Sequence, residues 1–368
     1  MKKVRIQTKY NDSLLASEAA LWNGDEIDLL ESLPKKKIFD LVVTSPPYNI
    51  GKAYEKKSSL NDYFDFHQNA IKQIVKRLKP NSSVCWQVGN HVNNKKNEIF
   101  PLDFGFHEIF SSLGLKLKNR IVWQFGHGLH STRRFSGRYE VILWYTMSDQ
   151  YHFNLDAVRV PQRYPGKRKY AGPGAAIKAP TDCFLEVKKQ KNEKVLLIFK
   201  PIELDFENAF KEKYPPIEVD ASREICVEAG MIKKGQTLVR GEFSGNILGK
   251  NPGDIWDIPN VKGNHVEKTN HPCQFPVALV QRLILAMTKK NQLVFDPFMG
   301  VGSTGVAALL NNRKFLGADT DKSYVLEAKK RISQTIKGEV IYREDKPIYD
   351  FKESNLSIFP ETFKKVNK

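Results

Sequence analysis

The chain of 368 residues has few cysteines, and none of them are paired in the sequence. There are four, at widely separated positions: Cys85, Cys183, Cys226 and Cys273. No Cys-x-x-Cys pair occurs, which excludes a zinc-ribbon pattern and a compact disulfide framework. Scattered single thiols are typical of proteins in a reducing compartment.

Long apolar runs and metal-ligand clusters are also missing. No stretch of about 18 or more apolar residues occurs. The start, Met1-Lys2-Lys3-Val4-Arg5, is followed by polar residues rather than by the apolar segment of a signal peptide. His265 and His271 have no partners at ligand spacing. We therefore expect a cytoplasmic protein with no membrane contact and no metal site.

The charge is unbalanced toward the basic side. The chain has 58 Lys and Arg against 41 Asp and Glu, a formal net charge of +17. Such an excess favours a polyanionic partner, nucleic acid first, although a merely basic surface is the alternative. Hydrophobic residues at 41% are enough for an ordinary packed core.

The periodicity divides the chain into four regions. Residues 1–160 and 266–340 alternate apolar strands with amphipathic helices, which predicts an α/β fold with helices on both faces of a parallel sheet. Residues 161–265 break this pattern and read as an inserted basic region, and residues 341–368 form a charged tail.

Two short loops each follow an apolar run that reads as a buried strand. Residues 38–43 lead into Ser45-Pro46-Pro47-Tyr48, and residues 292–295 lead into the segment 296–304, Asp-Pro-Phe-Met-Gly-Val-Gly-Ser-Thr. Parallel strands end at one edge of a sheet, where α/β proteins bind their ligands. We expect both loops to meet there.

The second loop predicts a nucleoside pocket. It matches neither the GxGxxG dinucleotide fingerprint nor the GK[ST] phosphate loop, so on its own it could be a structural turn. Asp319 ends the next predicted strand, where a carboxylate can bind both hydroxyls of a ribose, the alternative being an exposed strand-end carboxylate. A pocket without a phosphate-binding loop suits S-adenosylmethionine better than NAD or ATP.

The first loop predicts a site for an amine. Two consecutive prolines fix the backbone and remove two donors, so nearby carbonyl oxygens can accept hydrogen bonds in a cavity. Tyr48 offers a flat face beside them. This combination suits a flipped-out base whose exocyclic amino group must be held.

With these motifs the chain resembles the DNA amino methyltransferases, which modify adenine N6 or cytosine N4. The matching segments are residues 23–25, 39–48, 83–89, 271–276, 296–304, 317–319 and 324. The resemblance implies a Rossmann-like, S-adenosylmethionine-dependent fold with the β-class motif order. It also implies that the insert between the two loops is the target-recognition region.

The resemblance implies a role for each matched residue. The implied catalytic residues are Ser45, Pro46, Pro47 and Tyr48. The implied cofactor-binding residues are Asp25, Asp296, Pro297, Phe298, Gly300, Gly302 and Asp319. The implied partners are double-stranded DNA and a restriction endonuclease that acts on the same site, with the methyltransferase a monomer or homodimer.

Two clusters are predicted to face DNA. Arg133, Arg134 and Arg138 lie in a glycine-hinged segment, residues 127–138, whose side chains suit base and phosphate contacts. The second cluster consists of Arg163, Lys167, Arg168 and Lys169. The alternative for both is a solvated basic loop.

The base and the substrate class stay open at this point. Many adenine-specific relatives carry Asp in place of Ser45, but residues 49–51, Asn-Ile-Gly, resemble adenine enzymes and shift the prediction slightly toward adenine. A serine hydroxyl can serve either amine. The alternatives are a methyltransferase for RNA or another substrate, and a DNA-binding protein with a degenerate methyltransferase fold.

Overall fold

The structure is a computed structural model. It describes residues 4–9, 13–49, 58–93, 98–126, 130–162, 168–169, 176–190, 194–203, 207–220, 223–243, 248–263 and 265–344. The described chain divides into two compact units, the first formed by the residues up to Val158 together with those from Asn251 onward, and the second by Arg159–Lys250.

The strands of the described residues are, in chain order, β1 (Arg5–Gln7), β2 (Ala19–Asn23), β3 (Phe39–Thr44), β4 (Leu78–Val88), β5 (Asn90–Asn93), β6 (Glu98–Pro101), β7 (Lys116–Gln124), β8 (Tyr139–Thr146), β9 (Arg168–Lys169), β10 (Ile177–Lys178), β11 (Cys183–Lys189), β12 (Lys194–Lys200), β13 (Ile217–Asp220), β14 (Arg223–Ile225), β15 (Gly230–Ile232), β16 (Thr237–Phe243), β17 (Ile255–Asp257), β18 (Leu293–Asp296) and β19 (Lys314–Asp319).

The helices are α1 (Ser13–Ala16), α2 (Glu26–Ser32), α3 (Leu60–Val75), α4 (Leu102–Ser112), α5 (Glu207–Lys213), α6 (Val277–Met287), α7 (Ser303–Leu310) and α8 (Lys322–Lys337). A short 3-10 helix spans Asp156–Val158. None of the described helices is both long enough and apolar enough to cross a membrane.

The first unit is built on one nine-stranded sheet with the order β1-β2-β19-β18-β3-β4-β8-β7-β17. β8 runs antiparallel to β4 and to β7, and the other pairs are parallel. The predicted α/β class is confirmed, but the sheet is mixed rather than wholly parallel. Because β8 is reversed, its first residues lie at the edge where its neighbours β4 and β7 end.

Helices cover both faces of this sheet. Leu41 and Val43 of β3 pack in a core cluster with α6, α7 and α8, whereas Val42 packs in a second cluster with α2, α3 and α4. The three side chains are at most 3% exposed. This alternation follows from the two-residue period of a strand. Each fully buried aliphatic side chain contributes roughly 1.5–3 kcal/mol to the free energy of unfolding.

Pairing in register brings the two loops together. β18 lies directly beside β3, with Val294 opposite Leu41 and Phe295 opposite Val42. Both strands run in the same direction, so Thr44 and Asp296 end side by side. The edge predicted from the sequence is therefore the edge that the sheet forms.

The second unit is rich in short strands. One sheet has the order β10-β16-β14 with β9 also paired to β16, and another has the order β13-β12-β11-β15. Leu185, Leu197 and Val239 belong to the apolar cluster of this unit.

The boundary of this unit differs from the predicted insert of residues 161–265. The unit ends at Lys250, because β17 pairs in parallel with β7 of the main sheet. The indole N–H of Trp123 also donates to the carbonyl of Ile258, at 2.7 Å. Residues 251–265 therefore belong with the main sheet.

Candidate active site

A cavity of about 550 Å³ opens at the carboxyl ends of β3, β18 and β19. Both loops predicted from the sequence contribute to its wall. The predicted site residues that line it are Asp25, Ser45, Pro46, Pro47, Tyr48, Pro297, Phe298, Gly300 and Asp319. The fold thus brings a glycine turn, strand-end carboxylates and a proline-rich loop into one site.

Asp296 lies beneath this cavity and is fully buried. Its two carboxylate oxygens accept hydrogen bonds from the hydroxyls of Thr44 and Thr304, each at 2.6 Å, and one of them also accepts from the backbone N–H of Phe298. Burial raises the pKa of Asp296 to about 6. The carboxylate therefore organises the loop, and it is not part of the cavity wall.

Gly302 also lies outside the cavity wall. Its φ is +75°, it caps the N-terminus of α7, and an added Cβ would lie 2.9 Å from the Cβ of Ala328 in α8. Glycine is needed here for the left-handed conformation and the close approach of two helices. Asp296 and Gly302 thus support the loop from outside the cavity wall, and their predicted contact with the cofactor stays a prediction.

Asp319 and Gly300 face the cavity together. The Asp319 carboxylate accepts from the backbone N–H groups of Gly300 and Asp321, each at 2.9 Å. Burial raises the pKa of Asp319 to about 6, and each of its oxygens retains a lone pair for another donor. Gly300 has φ +50°, and a Cβ at this position would lie 3.4 Å from Nε2 of His271. A ligand can approach this backbone closely.

Asp25 and Glu26 form an acidic pair at the start of α2. Asp25 caps the helix by accepting from the N–H of Ile27 at 2.8 Å. Glu26 lines the cavity although it is only 3% exposed, and its Oε1 has no hydrogen-bond partner among the described residues. Burial, aided by the neighbouring Asp25, raises the pKa of Glu26 to about 8. Its carboxyl group is therefore mostly neutral at pH 7.

Sequence reasoning did not single out Glu26. An acidic residue in the first turn of a helix is common, since it complements the helix dipole. Only burial beside the cavity distinguishes Glu26 from the exposed Asp28 in the same turn.

The proline-rich loop is held in a hydrogen-bonded chain. The hydroxyl oxygens of Ser45 and Tyr48 are 3.1 Å apart, and Tyr48 donates to Oε2 of Glu140 at 3.2 Å. The amide nitrogen of Gln87 donates to the same carboxylate oxygen. Burial raises the pKa of Glu140 to about 7, although these two hydrogen bonds and the charge of Lys262 oppose the shift.

Glu140 and Gln87 were not predicted from the sequence. Glu140 is the second residue of β8 and Gln87 the penultimate residue of β4. A wholly parallel sheet would have placed the start of β8 at the opposite edge, far from Tyr48. The reversal of β8 brings Glu140 to the site, and no local motif signals that reversal.

Two further residues fix the position of the loop. The Tyr63 hydroxyl of α3 donates to the Pro47 carbonyl at 2.7 Å, so that this carbonyl is already engaged outside the amine site. Gly89 follows β4, and an added Cβ there would lie 3.1 Å from Cε2 of Tyr48. The absent side chain gives the Tyr48 ring its room.

The first predicted DNA-facing cluster contains three arginines that differ in exposure. Arg133 and Arg134 are exposed, and Arg138 is half-buried. The carbonyl of Arg138 accepts from the N–H of Phe125, which lines the cavity, so this loop is anchored beside the site. At its apex Phe135 is fully exposed.

The second predicted cluster is only partly covered by the structure. Arg163 and Lys167 lie outside the described residues. The backbones of Arg168 and Lys169 form β9, which pairs with β16 in the second unit. The structure therefore leaves the predicted DNA contacts of these four residues as a prediction.

A doubly wound sheet with this cavity defines a nucleoside-binding α/β domain of the methyltransferase type. The sequence matches the DNA methylase family of N6 and N4 amino methyltransferases over residues 39–330. It is 37% identical over 305 residues to the type II methyltransferase M.BglII from Bacillus subtilis, covering 83% of this chain and 66% of that protein. It is 27% identical to the type II methyltransferase M.ScaI from Streptomyces caespitosus, covering 84% and 79% respectively.

The fold is also found in a solved structure. The chain superimposes on the cytosine-N4-specific PvuII DNA methyltransferase with a TM-score of 0.53 and 17% identity, covering 87% of this chain and 93% of that one. This match supports the fold alone. On the sequence match, the chain belongs to the DNA methylase family of N6 and N4 amino methyltransferases, and the predicted resemblance is confirmed. The class is that of S-adenosylmethionine-dependent enzymes that methylate amino groups of DNA.

Proposed function

We propose that this protein transfers a methyl group from S-adenosylmethionine to an exocyclic amino group of a base flipped out of double-stranded DNA. One observation carries the proposal: the Ser45–Tyr48 loop and the Gly300–Asp319 pair open into the same cavity. A donor bound at the second can therefore face an amine held at the first.

The residues on the cofactor side fit S-adenosylmethionine. Asp319 has acceptor capacity for ribose hydroxyls, and Gly300 presents backbone without a side chain. Glu26 offers a buried carboxyl oxygen that lacks a partner among the described residues, and Phe298 supplies an apolar surface in the cavity wall. When bound, the cofactor supplies an electrophilic methyl group on a sulfonium centre.

The residues on the base side hold and orient the amine. Tyr48 presents an aromatic face for stacking, and the Ser45 hydroxyl oxygen accepts a hydrogen bond from the amino group. Pro46 lines the cavity on the same rigid loop, whereas the carbonyl of Pro47 is engaged by Tyr63. Alignment of the amine lone pair with the methyl group supplies most of the rate acceleration.

We extend the proposal to the target base, the DNA-contacting regions and the partners of the protein. We retain the slight preference for adenine N6 over cytosine N4 that residues 49–51 give. We assign target recognition to the second unit, residues 159–250, and DNA contact to the arginines of the 130–138 loop. We also propose that the protein is cytoplasmic and is a monomer or a homodimer. Its proposed partner is a restriction endonuclease that acts on the same DNA site.

The test is methyl transfer from labelled S-adenosylmethionine to unmethylated genomic DNA, followed by mass spectrometry of the nucleosides. N6-methyladenine or N4-methylcytosine in the digest would support the function and identify the base. Label incorporated into RNA but not into DNA, in a parallel reaction, would favour the RNA alternative. Cofactor binding without transfer to either would favour a DNA-binding protein with a degenerate methyltransferase fold.

The same assay has an internal control in Tyr48→Ala. This change removes the stacking face, and the variant should lose most of its transfer while its calorimetric affinity for the cofactor stays nearly unchanged. Loss of cofactor binding instead would show that Tyr48 belongs to the cofactor side of the cavity.

A further inference from the structure

We propose that Glu140 is a positioning residue that turns the Ser45 hydroxyl into a hydrogen-bond acceptor for the target amine. This inference rests on the proposed function and deepens it, because it concerns the same cavity. It is carried by the direction of the hydrogen bonds in the chain from Ser45 through Tyr48 to Glu140.

The direction follows from the number of hydrogens available. An ionised carboxylate can only accept, so Tyr48 must donate its single phenolic hydrogen to Glu140. The Tyr48 oxygen can then only accept from Ser45, across the 3.1 Å contact. Ser45 has thereby used its one hydrogen, and its remaining lone pairs are available to the cavity.

This direction matters for methyl transfer. An amino group about to attack a methyl carbon must keep its lone pair free, so its hydrogens should be held by acceptors. If Ser45 instead donated to the amine, it would occupy that lone pair. The charge on Glu140 thus selects the productive orientation of a hydroxyl two hydrogen bonds away.

Gln87 reinforces the same arrangement from β4. Its amide nitrogen donates to the Glu140 oxygen that Tyr48 also contacts. Glu140 lies opposite Trp123 of the neighbouring β7, and the charged group facing it from the segment after β17 is Lys262, which favours the ionised form. Among the residues that the structure describes, the titratable groups that act on Glu140 are Tyr48 and Lys262.

The experiment is a double-mutant cycle with Glu140→Gln and Tyr48→Phe, measured as single-turnover methyl transfer to unmethylated DNA across a pH series. Tyr48→Phe keeps the aromatic face and breaks the chain, and Glu140→Gln removes the charge. We expect each change to lower the single-turnover rate about 10- to 100-fold with cofactor affinity and melting temperature little altered. The double variant should be no slower than the slower single one, because both changes interrupt one chain.

The pH profile separates positioning from a merely structural role. In the wild type the rate should rise with pH through the region near 7 as Glu140 ionises, and this inflection should be absent in Glu140→Gln. Glu108→Gln, on the exposed side of α4, is the matched control and should keep both rate and profile.

Failure of the positioning role of Glu140 and failure of the proposed methyltransferase function give different results. If the wild type methylates no nucleic acid, the proposed function fails. If it methylates DNA and Glu140→Gln keeps the wild-type rate and inflection, the positioning role is wrong. Strictly multiplicative losses in the double variant would likewise overturn it, since they would mean that the two side chains act separately.

Discussion

The hydroxyl of Thr44 donates to the carboxylate of Asp296 at 2.6 Å, although 252 positions separate the two residues in the chain. Thr44 is the last residue of β3 and Asp296 the last of β18. The bond joins the strand that carries the proline-rich loop to the strand that carries the glycine loop. The spacing between the amine site and the cofactor site is fixed at this point.

Thr44→Val should therefore loosen both loops. It keeps the shape of the side chain but removes one of the two donors to Oδ1 of the buried Asp296 carboxylate, which then keeps only the N–H of Phe298. The lost hydrogen bond to a charged group costs about 1.5–3 kcal/mol of unfolding free energy. Denaturant unfolding and cofactor titration should both detect the change. Thr44→Ser keeps the hydroxyl and should lose less stability, so equal losses in the two variants would assign the effect to packing.

Gly300→Val should weaken cofactor binding by blocking the cavity wall. A φ of +50° is strained for any residue with a side chain, and a Cβ would already be in contact with His271 at 3.4 Å. Gly114→Val is the control, because Gly114 also has a positive φ but a Cβ there would meet nothing within 4 Å. Calorimetry should show an affinity loss only for Gly300→Val and for Asp319→Ala, and unchanged affinity in both would remove the cofactor assignment.

Gly89→Ala should lower methyl transfer without changing cofactor affinity. The added methyl group would press on the Tyr48 ring at 3.1 Å and displace it from its position. A displacement of about 1 Å can cost about 100-fold in rate. Gly126→Ala, where a Cβ would meet nothing within 4 Å, should keep its rate, and a normal rate in Gly89→Ala would show that the ring position is not critical.

Glu26→Gln should stabilise the protein at alkaline pH and not at acid pH. The folded-state pKa is raised to about 8 from 4.5, so protons leave the unfolded chain first and the stability of the wild type falls as pH rises between these values. A neutral amide avoids this loss, which is on the order of a few kcal/mol. Thermal melts at pH 4.5 and 8.5 should show a gain for the variant only at the higher pH.

Arg133→Ala combined with Arg134→Ala should weaken DNA binding and flatten its salt dependence. Each phosphate contact releases about one counterion, so the slope of log K against log salt should fall by roughly one per lost contact. Lys35→Ala with Lys36→Ala removes the same charge ahead of the amino end of β3, at the opposite edge of the sheet. An equal effect of the two pairs would indicate general electrostatic attraction rather than a DNA-facing loop.

Much of the fold was accessible from the sequence because its signals are local. The strands predicted at residues 38–43 and 292–295 form at Phe39–Thr44 and Leu293–Asp296. Proline is a less reliable signal for the boundary of a strand. β4 begins at Leu78, ahead of Pro80, since Leu78 already pairs with Phe39 of β3.

The sequence by itself determined the family, the two loops and the edge of the sheet at which they meet, because buried strands and rigid turns leave local patterns. Only the tertiary structure decided how the site is completed. The reversal of β8 brings Glu140 to Tyr48, and burial next to the cavity gives Glu26 its raised pKa. Both depend on which strands and helices become neighbours in space, and hydrophobic periodicity along the chain carries no record of that.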